Sequence, residues 1–307
     1  MEKIKLPNGL IVSSVALGAM NFGTTTNEAD AFAVLDAYLD MGGNFVDTSN
    51  NYAHWQGTGD ESETLLGRYF SQRKNRDQIV LATKVGFDRH GKGQGLRKEQ
   101  IEYWIDESLR KLHTDYIDLY YAHTDDPSTP LEETMEAFHA LVQKGKVRHL
   151  GGSNYDTWRF CQANVVGKTP FTVMQQWFTY LYTRSDAVPQ YTFNEAVNRE
   201  RLRYLEAESS PLVAYSCLAK GGYEDPCRMP QELIGGKRLE FLKQMAQEKG
   251  VSASALAVAW MVNLHRCKGF PRVIPLFGSS SAKHLEENLA GAQLPLTQEE
   301  LDLLNKA

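Results

Sequence analysis

Long apolar runs are missing from this chain of 307 residues, and so is any excess of positive charge. No stretch of about 20 consecutive apolar residues occurs, which argues against a membrane span. The formal net charge is −5, so the chain has no basic surface of the kind that binds nucleic acid or anionic lipid. We therefore expect neither a nucleic-acid partner nor a membrane partner.

Cysteine is also scarce, and the cysteines that are present do not form pairs in the sequence. They stand far apart, without Cys-x-x-Cys spacing, at Cys161, Cys217, Cys227 and Cys267. This spacing is not that of a disulfide framework or a zinc site, so we expect reduced thiols and no bound metal. The first residues also lack the apolar run of a secretory signal. Together these absences predict a cytoplasmic protein.

The glycine fingerprint of an open dinucleotide-binding sheet is absent as well. Such a sheet carries G-x-G-x-x-G directly after its first strand, where residues 18–23 of this chain read GAMNFG. Residues 91–96 read GKGQGL and are only faintly similar, because the last glycine is misplaced. We interpret that segment as a flexible loop, which leaves a closed barrel as the favoured α/β design.

What the sequence does contain is a regular alternation of strand-like and helical stretches. Eight short stretches rich in β-branched and aromatic residues are typical of buried strands, at residues 14–19, 44–48, 79–85, 117–121, 147–151, 172–175, 212–215 and 273–277. Helical spacing, with Asn27 as an N-cap, predicts helices over residues 27–41, 97–112 and 131–142, and a further helix that begins at Ser252. This alternation predicts a (β/α)8 TIM barrel, as one domain over residues 1–307.

The residues at the ends of the predicted strands carry the functional signal, because barrel enzymes place their chemistry there. Asp47 ends the second strand, with Tyr52 shortly after it, while Lys84 and His123 end the third and fourth. Together they suit carbonyl reduction: a tyrosine acid, a lysine that lowers its pKa, an aspartate that keeps the lysine charged, and a histidine that holds the carbonyl oxygen. A purely structural pairing of the same polar groups is the alternative.

Several stretches of the chain resemble the aldo-keto reductase family. They follow the family's order over nearly the whole chain, at residues 43–52, 61–67, 82–84, 115–123, 151–154, 212–216 and 284–289. The resemblance implies a barrel whose bottom is closed by an N-terminal β-hairpin, and a Pro-Asn-Gly turn signal between two apolar runs stands at residues 7–9. It also implies a catalytic tetrad of Asp47, Tyr52, Lys84 and His123, with Tyr52 as general acid/base.

The resemblance further implies a bound nicotinamide cofactor and the residues that hold it. Ser153, Asn154 and Gln175 would hydrogen-bond the carboxamide, and Tyr215 would stack on the nicotinamide ring. Further contacts to the pyrophosphate, the adenosine phosphate and the adenine would come from Ser216, Leu218, Gly278, Ser279, Ser280, Glu287 and Asn288. NADP(H) is the expected cofactor and NAD(H) the alternative, because only Lys283 and His284 could supply charge to a 2′-phosphate.

The substrate is expected to be a small carbonyl compound or alcohol that contacts Met20 and Trp55. Trp55 stands among polar residues in the loop after Tyr52, which suits a sugar-like ring, although packing against a neighbouring loop is an equal alternative. Loops over residues 183–201 and 219–238 are expected to complete the pocket. Two other functions stay open: an NAD-dependent sugar or polyol dehydrogenase, and a cofactor-binding regulatory subunit.

Overall fold

The strands form the closed barrel that the sequence predicts, in a computed structural model that describes residues 1–87, 95–184 and 196–307. In chain order the strands are β1 (Lys3–Lys5), β2 (Ile11–Ser13), β3 (Ala16–Gly18), β4 (Phe45–Asp47), β5 (Val80–Val85), β6 (Ile117–Ala122), β7 (Val147–Ser153), β8 (Phe171–Trp177), β9 (Tyr182–Thr183), β10 (Leu212–Tyr215), β11 (Leu233–Ile234) and β12 (Val273–Phe277). Eight of them, β3 to β8 with β10 and β12, pair in parallel and close on themselves. The predicted TIM barrel is confirmed.

Helices follow the barrel strands and cover their outer faces. In the described residues they are α1 (Glu28–Asp40), α2 (Glu61–Arg73), α3 (Lys98–Leu112), α4 (Leu131–Gln143), α5 (Thr157–Val166), α6 (Arg199–Ala207), α7 (Gly236–Glu248), α8 (Ala253–Asn263), α9 (Ala282–Leu289) and α10 (Gln298–Lys306). No helix in these ranges is both long and apolar enough to span a bilayer. Most of the glycine-rich segment at 91–96, and residues 185–195 of a predicted pocket loop, lie outside the described residues.

The N-terminal hairpin closes the bottom of the barrel, as the resemblance implies. Strands β1 and β2 pair antiparallel with Ile4 opposite Val12, and both side chains are buried in a cluster with Phe45 and other residues of the barrel strands. Asn8 in the hairpin turn donates a 2.8 Å hydrogen bond from Nδ2 to Oγ1 of Thr172, near the start of β8. The hairpin therefore lies at the N-terminal ends of the strands, opposite the end where barrel enzymes act.

Local sequence signals locate the predicted helix starts, because capping depends on nearby residues. Oδ1 of Asn27 accepts a hydrogen bond from the backbone N–H of Asp30 at 3.0 Å and begins α1. Oγ of Ser252 accepts one from the N–H of Ala255, also at 3.0 Å, and begins α8. The predicted N-cap at Asn27 and the predicted helix start at Ser252 are both confirmed.

Three barrel strands begin or end at residues other than the predicted ones. The first barrel strand is shorter than predicted: the hydroxyl of Tyr38 in α1 donates to the carbonyl of Val15 at 2.8 Å, just before the strand begins. By contrast, β7 and β8 run two residues past their predicted ends. This extension brings Ser153 into β7 and carries β8 beyond Gln175, at the end of the barrel where the chemistry is expected.

A two-stranded ribbon outside the barrel has no counterpart in the sequence prediction. Strands β9 and β11, two residues each, pair antiparallel and join the loop after β8 to the loop after β10. Nε of Arg238, at the end of the second loop, donates to the carbonyl of Tyr180 at 2.6 Å. The described residues of the two loops are therefore joined near the C-terminal ends of β8 and β10.

Candidate active site

The four residues predicted as a tetrad meet at the C-terminal mouth of the barrel. Nζ of Lys84 in β5 donates to the hydroxyl of Tyr52 at 2.6 Å, to the carbonyl of Thr48 at 2.7 Å and to Oδ1 of Asp47. The Tyr52 hydroxyl in turn donates to Oδ1 of Asp47 at 3.1 Å. The rings of Tyr52 and His123 approach edge to face, with their centroids 5.9 Å apart.

Burial divides the tetrad into an inner and an outer pair. The side chains of Lys84 and Asp47 are sealed from solvent, with exposures of 0% and 1%. Tyr52 and His123 are partly exposed and face the mouth. Burial lowers the pKa of Lys84, and the Asp47 carboxylate opposes that shift by stabilising the ammonium. The inner pair thus places a charged group directly behind the tyrosine hydroxyl.

The pKa of Tyr52 differs from the sequence prediction. The sequence predicts that Lys84 lowers it, whereas burial and then the Asp47 carboxylate raise it well above the ordinary tyrosine value. The reason is that the charge of Lys84 is already paired with Asp47, so the phenolate would face a carboxylate as well as an ammonium. The hydroxyl therefore keeps its proton at neutral pH, as a proton donor must.

The orientation of His123 comes from a residue that sequence reasoning missed. Oγ of the buried Ser49 lies 3.1 Å from Nδ1 of His123, within hydrogen-bond distance. The ring of Phe87 meets the imidazole edge to face, with centroids 4.8 Å apart. Ser49 stands two residues after Asp47, so its place beside a strand end was the only signal the sequence offered.

The residues predicted around the nicotinamide carboxamide connect directly to the tetrad. Nδ2 of Asn154 donates to the backbone carbonyl of His123 at 2.9 Å, and Oδ1 of Asn154 accepts from the Tyr215 hydroxyl at 2.7 Å. Nε2 of Gln175 donates to Oδ2 of Asp47 at 2.8 Å. Ser153 and Gln175 are buried, whereas Asn154 and Tyr215 are partly exposed and present polar and aromatic surface to the mouth.

Backbone strain marks two of these strand ends. Asn154 has a φ of 56° and Ser216 a φ of 52°, in the left-handed region that non-glycine residues rarely adopt. Asparagine tolerates this conformation better than most residues, and strain of this kind is common at ligand sites. Ser216 is exposed at the mouth and Leu218 is partly exposed.

The predicted phosphate loop lies between β12 and α9, at the same end of the barrel. Oγ of Ser279 donates to the carbonyl of Ser281 at 2.7 Å, and Ser281 caps α9. Ser280 and Gly278 are exposed. A β-carbon at Gly278 would lie 2.9 Å from the carbonyl oxygen of Gly18, so glycine is needed here for the close approach of β12 and β3. A helix N-terminus behind a serine loop is chemically suited to a phosphate.

The charged residues predicted for the 2′-phosphate lie on the exposed face of α9. The Lys283 side chain is 82% exposed, and its Nζ lies 4.0 Å from Oε1 of Glu287, one helical turn later. His284 is exposed, and Asn288 is partly exposed. Lys283 is therefore available to a ligand, although Glu287 competes for its charge.

The two residues predicted to contact substrate are both accessible. Met20 follows β3 and is 40% exposed, and Trp55 follows β4 and is 55% exposed. The Trp55 ring meets His54 edge to face, with centroids 4.9 Å apart. The alternative in which Trp55 is packed away against a neighbouring loop is thus not what the structure shows. Both side chains add apolar surface to loops at the barrel mouth.

Comparison with known proteins gives matches over nearly the whole chain. A sequence model of the Aldo/keto reductase family matches residues 14–307. Norsolorinic acid reductase of Aspergillus flavus is 32% identical, over 97% of this chain and 78% of its own length. An aryl-alcohol dehydrogenase of Phanerodontia chrysosporium, named for NADP(+), is 29% identical, over 97% of this chain and 83% of its own. The fold is also that of a thermostable aldo-keto reductase crystallised with the inhibitor epalrestat, with a TM-score of 0.78, 24% identity, and coverage of 100% of this chain and 99% of that chain.

Proposed function

The chain belongs to the aldo/keto reductase family and is an oxidoreductase, and we propose that it reduces an aldehyde or ketone with a nicotinamide cofactor and with Tyr52 as the proton donor. One observation carries this proposal: the Tyr52 hydroxyl lies 2.6 Å from Nζ of Lys84, above the buried Asp47. A cofactor-binding subunit without turnover would not need a charged lysine sealed behind a tyrosine hydroxyl. Desolvating that pair carries a cost that a binding role does not explain.

The proposed chemistry assigns one task to each member of the tetrad. A bound nicotinamide supplies the hydride in the reductive direction and accepts it in the reverse. Tyr52 donates its proton to the carbonyl oxygen, and its raised pKa keeps that proton in place until the oxygen becomes basic. Lys84 stabilises the phenolate that remains, Asp47 holds Lys84 charged, and His123 orients the carbonyl oxygen.

The residues at the mouth fit the parts of such a cofactor. Tyr215 offers a partly exposed ring whose hydroxyl is fixed by Asn154, which suits stacking against the nicotinamide. The loop of Gly278, Ser279 and Ser280 before α9 suits the adenosine phosphate. We propose NADP(H) as the preferred cofactor, with Lys283 as the cation for its 2′-phosphate. The name of the Phanerodontia relative supports this preference.

An aromatic carbonyl compound is the proposed substrate class. Met20 and Trp55 supply exposed apolar and aromatic surface, and the name of the Phanerodontia relative refers to an aryl alcohol. The test is reduction of an aryl aldehyde and of an aldose with NADPH or NADH, and oxidation of a polyol with NADP+ or NAD+. Faster reduction of the aryl aldehyde, with a selective loss in Trp55→Ala, supports the proposal. Preference for the aldose or polyol would favour a sugar dehydrogenase, and no turnover of any class would favour a regulatory subunit.

Tyr215→Ala is expected to weaken binding of NADPH and NADH alike. Loss of an aromatic contact costs about 1 kcal/mol beyond lost area, which is roughly a fivefold rise in Kd. Tyr215→Phe is the matched control, because it keeps the ring and loses only the hydroxyl bonded to Asn154. Quenching of protein fluorescence during cofactor titration measures both. Unchanged Kd values in Tyr215→Ala would remove the stacking role.

Lys283→Ala is expected to weaken NADPH several-fold and to leave NADH nearly unaffected. The 2′-phosphate distinguishes the two cofactors, and the high exposure of Lys283 keeps the effect moderate through solvent screening. His284→Ala should act in the same direction. Glu287→Gln should strengthen NADPH binding, because it releases Lys283 from its neighbour. Equal losses for both cofactors in the alanine variants would show that neither residue recognises the phosphate.

A further inference from the structure

The first turn of α2 holds the two tetrad strands from outside the barrel. Oγ of Ser62 lies 2.7 Å from Oγ1 of Thr48, the residue after Asp47. Oε1 of Glu63 accepts a 2.7 Å hydrogen bond from Oγ1 of Thr83 in β5. Because side chains alternate along a strand, Thr83 points toward the helices while its neighbour Lys84 points into the barrel. The first turn of α2 is thus hydrogen-bonded to the chain neighbours of both Asp47 and Lys84, which form the buried ion pair.

Glu63 is fully buried, which is unusual for a carboxylate outside the site. Four groups face it from three elements: Thr83 in β5, Ser108 and Lys111 in α3, and Tyr120 in β6. Nζ of Lys111 lies 3.9 Å from Oε2 but is bonded more closely to Asp60, at the start of α2. Lys111 is therefore shared between two carboxylates, and the negative charge of Glu63 is not fully neutralised by it.

We propose that Glu63 is a positioning residue for the reaction, holding Thr83 so that Lys84 meets Tyr52 and adding a second buried carboxylate behind the Lys84 ammonium. This inference rests on the proposed function for its kinetic test. Lys84 is faced by Asp47, the Thr48 carbonyl and the Tyr52 hydroxyl in the mouth, and by the ring of Tyr121 at 5.9 Å. The Glu63 charge favours the protonated form of Lys84 and so raises its pKa against the effect of burial.

Substitutions can separate the two parts of the proposal, which are the hydrogen bond of Glu63 to Thr83 and the effect of the Glu63 charge on Lys84. Glu63→Gln removes the charge but keeps an oxygen that can accept from Thr83. Asp106→Asn is the matched control, since it removes a carboxylate of α3 that pairs with Lys146 and whose side chain is 60% exposed. Thr83→Val keeps the Glu63 charge and removes the hydrogen bond.

The titration of Lys84 itself gives a test that does not need turnover. With ¹⁵N-labelled lysine, the Nζ signal that disappears in Lys84→Met is followed against pH in each variant. Glu63→Gln should lower the Lys84 midpoint by up to about one pH unit, whereas Asp106→Asn should leave it in place. Burial lowers the pKa of Lys84 and raises the pKa of Glu63, so the titration is followed over a pH range wide enough to include both groups.

The kinetic test uses the pH profile of kcat for the aldehyde preferred by the unaltered protein. The alkaline limb should move to lower pH in Glu63→Gln by the same amount as the NMR midpoint, with KM for the cofactor unchanged. Thr83→Val should lower kcat without moving the limb. If the unaltered protein shows no turnover, the proposed function fails, and the NMR midpoint still decides the role of Glu63.

A lower Tm in Glu63→Gln, with an unchanged midpoint and an unchanged pH profile, would overturn the proposal and leave Glu63 as a structural group. If Glu63→Gln does not fold, Thr83→Val decides the positioning part alone. Unaltered kcat in a folded Thr83→Val variant would then overturn it.

Discussion

Tyr52→Phe is expected to bind NADPH almost normally while its turnover falls by about 10²–10⁴-fold, the range typical for loss of a general acid. The substitution removes only the hydroxyl, which is bonded to Lys84 and Asp47 at the base of the mouth. The proposed cofactor contacts come from later strands and are untouched. Single-turnover measurement of hydride transfer, together with cofactor titration, separates the two effects.

The matched control for this substitution is Tyr155→Phe. Tyr155 follows β7, and its ring packs edge to face against Phe171 of β8, with centroids 5.6 Å apart. Its buried hydroxyl has no hydrogen-bond partner among the described residues. Removing it should leave hydride transfer unchanged. Near-normal turnover in Tyr52→Phe would refute the proton-donor role and would require that another group supplies the proton.

Lys84→Met is expected to lose turnover to a similar extent and, in addition, to lose about 3–5 kcal/mol of unfolding free energy. The stability loss arises because Asp47 would remain buried as a carboxylate without its cation. The Tyr52 hydroxyl and the Gln175 amide would be its remaining side-chain partners. Urea denaturation measures the free energy, and NADPH oxidation with the preferred aldehyde measures turnover.

The double variant Asp47→Asn/Lys84→Met distinguishes stability from chemistry. Replacing the carboxylate by an amide removes the unpaired buried charge, so most of the lost stability should return. Turnover should stay low, since no cation would remain behind Tyr52. A single Lys84→Met variant as stable as the unaltered protein would contradict the buried pair. Recovery of turnover in the double variant would contradict the role given to Lys84.

The sequence by itself determined the barrel, the starts of two helices and the four polar residues that meet at the barrel mouth. Buried parallel strands have a composition that marks them locally, and the caps at Asn27 and Ser252 depend on residues only three positions away. Once the order of strands is known, their C-terminal ends meet at one mouth. Asp47, Lys84 and His123 could therefore be brought together without coordinates.

Tertiary structure alone decided the features that depend on residues distant in the chain. Each strand of the ribbon formed by β9 and β11 is only two residues long, which is too short to show an alternation of apolar and polar residues. The pairing of these strands depends on the loops that flank them. Ser49 gains its role only through the approach of His123, 74 positions later.

The sign of the Tyr52 pKa shift also came only from the folded protein. The sequence names a lysine neighbour that would lower this pKa, but it does not reveal how deeply the hydroxyl is buried or that Asp47 lies 3.1 Å away. Desolvation and a nearby carboxylate both disfavour the phenolate, and both are properties of three-dimensional packing. Residue types thus indicated which groups meet at the mouth, whereas burial and pairing determined the direction of the Tyr52 pKa shift.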